Sequence, residues 1–211
     1  MSAVLTLPQP AATTTPRPAG GVSISPRPYR WTIAEYQRLH RAGLFPRNNT
    51  LLVGGEILEM PTPGPRHSVV LRRADRWLSG VCPAGHHVRN QAGFDVGTRN
   101  DPGPDLAVVP GDDTDYLTAN PRTAALVVEV ADSSLALVTT EKAELYATAG
   151  VPEYWVFDLE HNQLVVFRDP TPLPAGLGAT AYRTHLTFGP TDTVAPLAAP
   201  AAVVTVADLL P

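Results

Sequence analysis

An α/β fold, with a mixed central sheet flanked by helices, is what the sequence predicts, and three features carry that expectation. Two helical patterns occupy the first eighty residues. A series of short apolar strands follows, among them the nearly continuous run Leu126 to Ala131, which suits a strand covered on both faces. A short helical segment, Glu141 to Ala149, is set between strands, and this mixture of periods packs as a sheet with helices laid against it.

Residues 1–28 are rich in Pro, Thr, Ala and Ser without periodicity and are expected to form a disordered arm. Order begins near Trp31. Thr32 to Glu35 has capping-box spacing, and Ile33, Tyr36 and Leu39 give an apolar stripe that stops at Gly43. Leu51 to Val53, Gly54-Gly55 and Glu56 to Met60 read as a tight hairpin. Pro61 to Pro65 is a turn, and Arg66 to Ser79 a second helix ending at Gly80. Strands are expected at 86–96 and at Asp105 to Val109, the latter entered through a proline. After the polar loop Gly111 to Arg122 come the apolar strand at 126–131 and the helix stopped by Gly150 and Pro152. Glu153 to Leu159 and Gln163 to Arg168 form a hairpin pair around His161-Asn162, with weak strands near Tyr182–Phe188 and Ala202–Ala207. The domain is expected over 29–170, with 171–211 as an extension of short strands packed on the core or trailing it.

A chain of 211 residues, 44% hydrophobic and 17% charged, supports one soluble domain with a sizeable core. No run reaches the roughly 18 apolar residues of a membrane span. The N-terminus lacks the basic start and apolar core of a secretory signal, which predicts a cytoplasmic protein. A single cysteine, Cys82, excludes an internal disulfide framework and a thiolate zinc site. The net charge of −4 argues against non-specific coating of nucleic acid, although Arg66, Arg72, Arg73 and Arg76 cluster on one helix. Those arginines read either as a local basic groove or as a solvated helix face. Gly93, Gly97 and Gly103 are too widely spaced for a dinucleotide fingerprint.

The chain has one lysine, Lys142, against fifteen arginines. Arginine cannot replace a compact ammonium that must approach a phosphate or a water closely. Two acids stand in apolar strands, Asp105 and Glu129, and an unpaired carboxylate there costs about several kcal/mol unless it gains a metal, a cation or hydrogen bonds. If their strands are neighbours, both can converge on one Mg2+ or Mn2+ ion, with Lys142 brought back by the next helix to orient water or stabilise a phosphoryl transition state. The competing readings are a Glu129–arginine salt bridge, a strand-end Asp105, and a solvated Lys142 beside Glu141 and Glu144. His67 opens the second helix and Gln91 precedes Asp105 on a strand; both are candidate supporting residues, against the readings of a capping or core histidine and of a glutamine that merely faces solvent. His86-His87 has no metal-like spacing, and Tyr154 and Trp155 are expected in the core.

Pro104-Asp105, the stretch from Leu126 through Glu129 to Ser134, and the segment from Lys142 through Trp155 to Asp158 together resemble the Uma restriction-endonuclease family, within the PD-(D/E)XK nuclease superfamily. The resemblance spans roughly Trp31 to Pro170 and includes Gly55-Glu56-Ile57 and the segment ending at His67. It implies a restriction-endonuclease-like core and divalent-metal-dependent DNA cleavage, with Asp105 and Glu129 as metal ligands and Lys142 as the catalytic lysine. DNA is then the partner, and a homodimer is one expected assembly. The superfamily usually carries its lysine two residues after the acid, where this chain has Ala131; Lys142 stands instead on the following helix. The family tends to place an aspartate where this chain has Val138 and a glutamate where it has Leu51. An endonuclease is therefore weighed against a catalytically impaired member that binds nucleic acid or a protein partner.

Overall fold

The computed structural model describes residues 26–45, 49–174 and 180–211. Most of the N-terminal arm expected over 1–28 lies outside them. Helix α1 (Ile33–Arg41) starts at Thr32, whose side chain accepts from the Glu35 amide while Glu35 reaches back to the Thr32 N–H, the reciprocal cap that the spacing predicts. Strands β1 (Thr50–Val53) and β2 (Glu56–Glu59) pair antiparallel around Gly54-Gly55, both of which take positive φ. With α1 they form a small separate core of Ile33, Tyr36 and Leu52.

Helix α2 (Pro65–Val81) begins with proline at its first position and runs through Gly80, where the sequence predicts a stop. Gly80 does not adopt the left-handed conformation of a helix-ending glycine. The helix ends ahead of Pro83, which disfavours helical backbone at Cys82.

The main sheet has six strands in the order β3-β4-β5-β6-β7-β8: β3 (His86–Asn90), β4 (Leu106–Pro110), β5 (Leu126–Ala131), β6 (Glu153–Asp158), β7 (Gln163–Pro172) and β8 (Thr180–Phe188). Only β5 and β6 run parallel, and their crossover carries helical residues from Leu135 to Thr148. That crossover comprises α3 (Leu135–Leu137), a π-helical segment (Val138–Lys142) and α4 (Ala143–Thr148), so helix starts well before the expected Glu141. β3 stops short of the expected residue 96 because Gln91 turns to a φ of 44°. The C-terminal residues add β9 (Thr193–Val194), β10 (Val204–Thr205) and α5 (Val206–Leu209), and Val204, Val206 and Leu209 join the core beside α2.

The sheet divides two apolar layers. Leu106, Val108, Leu126, Val128 and Val130 pack with Val70, Ala74 and Leu78 of α2. Ala107, Val109, Val127 and Ala131 pack with Tyr146 and Ala147 of α4. Tyr154 and Trp155 are fully buried, as the sequence predicts. Among the described residues no helix is long and apolar enough to cross a membrane.

Candidate active site

Successive side chains of a strand alternate between faces, so Glu129 is in phase with Val127 and Ala131 and points to the α4 layer. It is 3% exposed, and its Oε1 accepts two hydrogen bonds, from Lys142 Nζ at 2.8 Å and from the Tyr146 hydroxyl at 2.6 Å. Lys142 is 2% exposed, which removes the reading of a solvated lysine beside Glu141 and Glu144. The cation paired with Glu129 is this lysine and not an arginine. Val138, Lys142 and Tyr146 follow one another at intervals of four along the crossover, and all three are buried. The π-helical segment ends at Lys142, a local rewinding of a kind frequent at functional sites. Burial pushes the Glu129 carboxyl up to about 7; the Asp105 charge adds to this, and Lys142 and Tyr146 oppose it.

Asp105 stands one residue before β4. The β4–β5 register pairs Leu106 with Val128, so the next position across the ladder sets Asp105 opposite Glu129. The β3–β4 register pairs Asn90 with Leu106, which sets Gln91 opposite Asp105; the Gln91 amide donates to the Asp105 carbonyl at 2.9 Å. Gln91, Asp105 and Glu129 therefore occupy one row across three adjacent strands. Asp105 Oδ2 accepts the Val130 amide at 2.8 Å and lies 3.1 Å from His67 Nε2. His67, in the first turn of α2, reaches over the end of the sheet from the opposite layer, and its Nδ1 is buried without a partner among the described residues. Burial alone would lower the His67 pKa, but the hydrogen bond and charge of Asp105, reinforced by Glu129 and Asp132, raise it.

All seven positions named from the sequence, Asp105, Glu129, Lys142, His67, Gln91, Leu51 and Val138, line one cleft of about 650 Å3. Its far wall comes from α1 and the β1–β2 hairpin, through Tyr36, His40, Thr50 and Met60. The lining includes four acids, Asp101, Asp105, Glu129 and Asp132, against Arg41 and Lys142. The arginines of α2 are not part of it. Arg66 donates to the Leu159 carbonyl, just after β6, at 2.7 Å, and Arg73 to that of Leu210, so these two tie α2 to the β6 end and to the C-terminal residues.

The donor set fits a hard divalent cation. Each candidate ligand has one oxygen held by two donors, while Asp105 Oδ1 and Glu129 Oε2 take no hydrogen bond among the described residues. No group of three or more His, Cys, Asp or Glu side chains able to hold a metal occurs among the described residues. Two carboxylates are the kind of oxygen donor that a magnesium ion accepts, the rest of its shell being water and substrate phosphates.

Tyr146 is a partner of Glu129 that the sequence reading missed, as it missed the cleft acids Asp101 and Asp132. The signal for Tyr146 was its place four residues after Lys142, on the same face of a helical pattern.

A family model, Uma2, described as "Putative restriction endonuclease", matches residues 33–207. Among solved structures, a "putative nuclease belonging to DUF820" from Anabaena variabilis superposes with a TM-score of 0.62 at 14% identity, covering 84% of this chain and 96% of that one. At that identity the likeness is one of fold. No curated protein matches the chain.

Proposed function

Because this chain belongs to the Uma2 restriction-endonuclease family, whose model spans residues 33–207, we propose that it is a metal-dependent endonuclease hydrolysing DNA phosphodiester bonds. The observation that carries this reading is that Asp105 and Glu129 line one cleft beside the chain's sole lysine, each with one carboxylate oxygen that takes no hydrogen bond among the described residues. Asp105 and Glu129 would hold Mg2+ or Mn2+. The excess of acids in the cleft supports this, since without a cation it would repel a phosphodiester.

A bound magnesium would neutralise charge on the phosphoryl oxygens and supply a water of lowered pKa. The remaining work falls to this chain. Val130 and His67 hold Asp105 through one oxygen, and Lys142 and Tyr146 hold Glu129 likewise. The Lys142 ammonium is at hand to orient the attacking water and to stabilise charge building on the phosphoryl group. Water adds to phosphorus, the bond to the departing sugar oxygen breaks, and that oxygen leaves with a proton. Gln91, at the exposed end of the row, lies where a phosphate or base edge would pass. A cytoplasmic location suits a DNA substrate, and a homodimer would bring two such clefts to one duplex.

The test is a plasmid-nicking assay in Mg2+ and in Mn2+, paired with calorimetry. Cleavage should need the metal, and Glu129→Ala should lower it by about 10^3-fold, the scale of losing a main electrostatic contributor. Metal-independent nicking, or nicking unchanged by Glu129→Ala, would overturn the reading.

One observation favours a second reading, that of an impaired member acting as a binding module. Leu51 and Val138 put buried apolar groups on the cleft at the two positions where the family tends to carry acids. DNA binding without cutting in either metal would select it.

A further inference from the structure

We propose that Tyr146 is a positioning residue, whose hydroxyl fixes Glu129 so that one carboxylate oxygen stays turned to the cleft. The inference rests on the metal reading above and adds a residue to it. Three tyrosines are buried in the layer of α4, and two give their hydroxyl to backbone: Tyr154 to the Val138 carbonyl at 2.9 Å and Tyr182 to the Val151 carbonyl at 2.8 Å. A buried phenol is satisfied equally well in that way. Tyr146 instead donates at 2.6 Å to Glu129 Oε1, the length of a charge-assisted O–H···O bond.

Lys142 alone would fix that carboxylate poorly. Its ammonium carries three rotatable donors on a flexible stem and can follow the carboxylate through several orientations. The Tyr146 ring has no such freedom. It is 0% exposed, with Phe94 edge-on at 5.9 Å between centroids and Tyr154 at 5.0 Å. Its hydroxyl is a fixed point, and with Lys142 on the same oxygen it leaves Oε2 as the unclaimed one. A phenol is protonated at neutral pH, so the Tyr146 hydroxyl is a donor to the carboxylate.

The experiment compares Tyr146→Phe with Tyr182→Phe, a deletion of a buried hydroxyl that touches no carboxylate. In metal-free crystal structures, Tyr146→Phe should release the Glu129 carboxylate from its present orientation, and Tyr182→Phe should leave it in place. In calorimetry with Mn2+, Tyr146→Phe should lose about 10-fold in affinity, as removal of a hydrogen-bond partner of a metal ligand does, and Tyr182→Phe less than 2-fold. A Glu129 carboxylate unmoved in Tyr146→Phe overturns the proposal, as does equal loss of affinity in both variants. If the wild-type protein binds no Mn2+, the metal reading fails, and the crystallographic comparison still decides the role of Tyr146.

Discussion

Asp105 accepts the backbone N–H of Val130, the residue directly after Glu129, at 2.8 Å. The two acids are thus joined through the main chain of β5 where the regular β4–β5 pairing ends at Leu106 and Val128. At that end of the ladder a side chain takes over a hydrogen bond from the backbone, which fixes one oxygen of Asp105 and leaves the other for chemistry. The arrangement ties the spacing of the acids to the sheet itself, and a site built on strands is held more precisely than one built on loops.

Lys142→Arg should abolish cleavage and cost some stability as well. Charge is kept, but the guanidinium is bulkier than the ammonium, and Lys142 is 2% exposed. Overpacking of this kind costs about 1–3 kcal/mol, which at about 2–4 °C per kcal/mol for a chain of this size is several degrees of Tm. A nicking assay and a thermal melt measure the two effects. Cutting within a few-fold of wild type would show that Lys142 has no part in the chemistry.

The chelator-treated protein should lose stability as pH rises from about 4.5 towards 7. The Glu129 carboxyl is raised to about 7 in the fold from an ordinary 4.5, so in that window the folded chain keeps a proton that the unfolded chain has released. Stability therefore falls as pH climbs through the window and levels off above it. Urea titrations at pH 5 and pH 8 measure the slope attributed to Glu129, and Glu129→Gln should flatten it. An unchanged slope in that variant would assign the dependence to other groups.

Asp158 predicts the opposite limb. Burial would raise its pKa, but the amide and ring of His161 and the side chain of Gln163 bind the carboxylate and hold it below the usual range. A depressed carboxyl stabilises the fold above its ordinary pKa, and that contribution is lost as pH falls through the folded value. Asp158→Asn should then reduce acid sensitivity below about pH 4 while lowering Tm at pH 7, since the β6–β7 turn loses a charged acceptor for three donors. Identical acid unfolding curves for the two proteins would refute this.

Glu129 and Lys142 were legible in the sequence because each violates its surroundings: a carboxylate in an apolar strand, and a lone lysine in an arginine-rich chain. Asp105 was legible through its apolar continuation, although the regular strand starts one residue later. The far wall of the cleft was not, since it forms only when α1 and the hairpin fold over the end of the sheet, and no local pattern encodes that contact. Tyr146 was hidden for a different reason. A tyrosine in an apolar helical stripe reads as core, which it is; only the hydroxyl at its tip belongs to the site. The helical turn before Glu141 was hidden by Thr139 and Thr140, weak helix formers whose hydroxyls bond back to the carbonyls of Leu135 and Ala136.

Val138→Asp tests how far the site departs from a fully acidic one. Val138 is 1% exposed, lines the cleft, and stands four residues before Lys142 on the same face of the crossover. Its carbonyl is held by the Tyr154 hydroxyl, so the backbone there is anchored and a new carboxylate would project where the valine now does. Without metal, a further acid beside Glu129 must be desolvated next to like charge, and Tm should fall. With Mn2+ the same group can take a metal-bound water or orient the ammonium, so the metal should restore more stability to Val138→Asp than to the wild type, by ligand linkage. A tighter Mn2+ affinity of about 10-fold, with a matching rise in nicking, is the expected outcome for an outer hydrogen-bond partner of the ion. Thermal melts with and without Mn2+ separate the two effects. A folded Val138→Asp protein with no gain in metal-dependent stabilisation would mean that the valine belongs to a core that has moved away from catalysis.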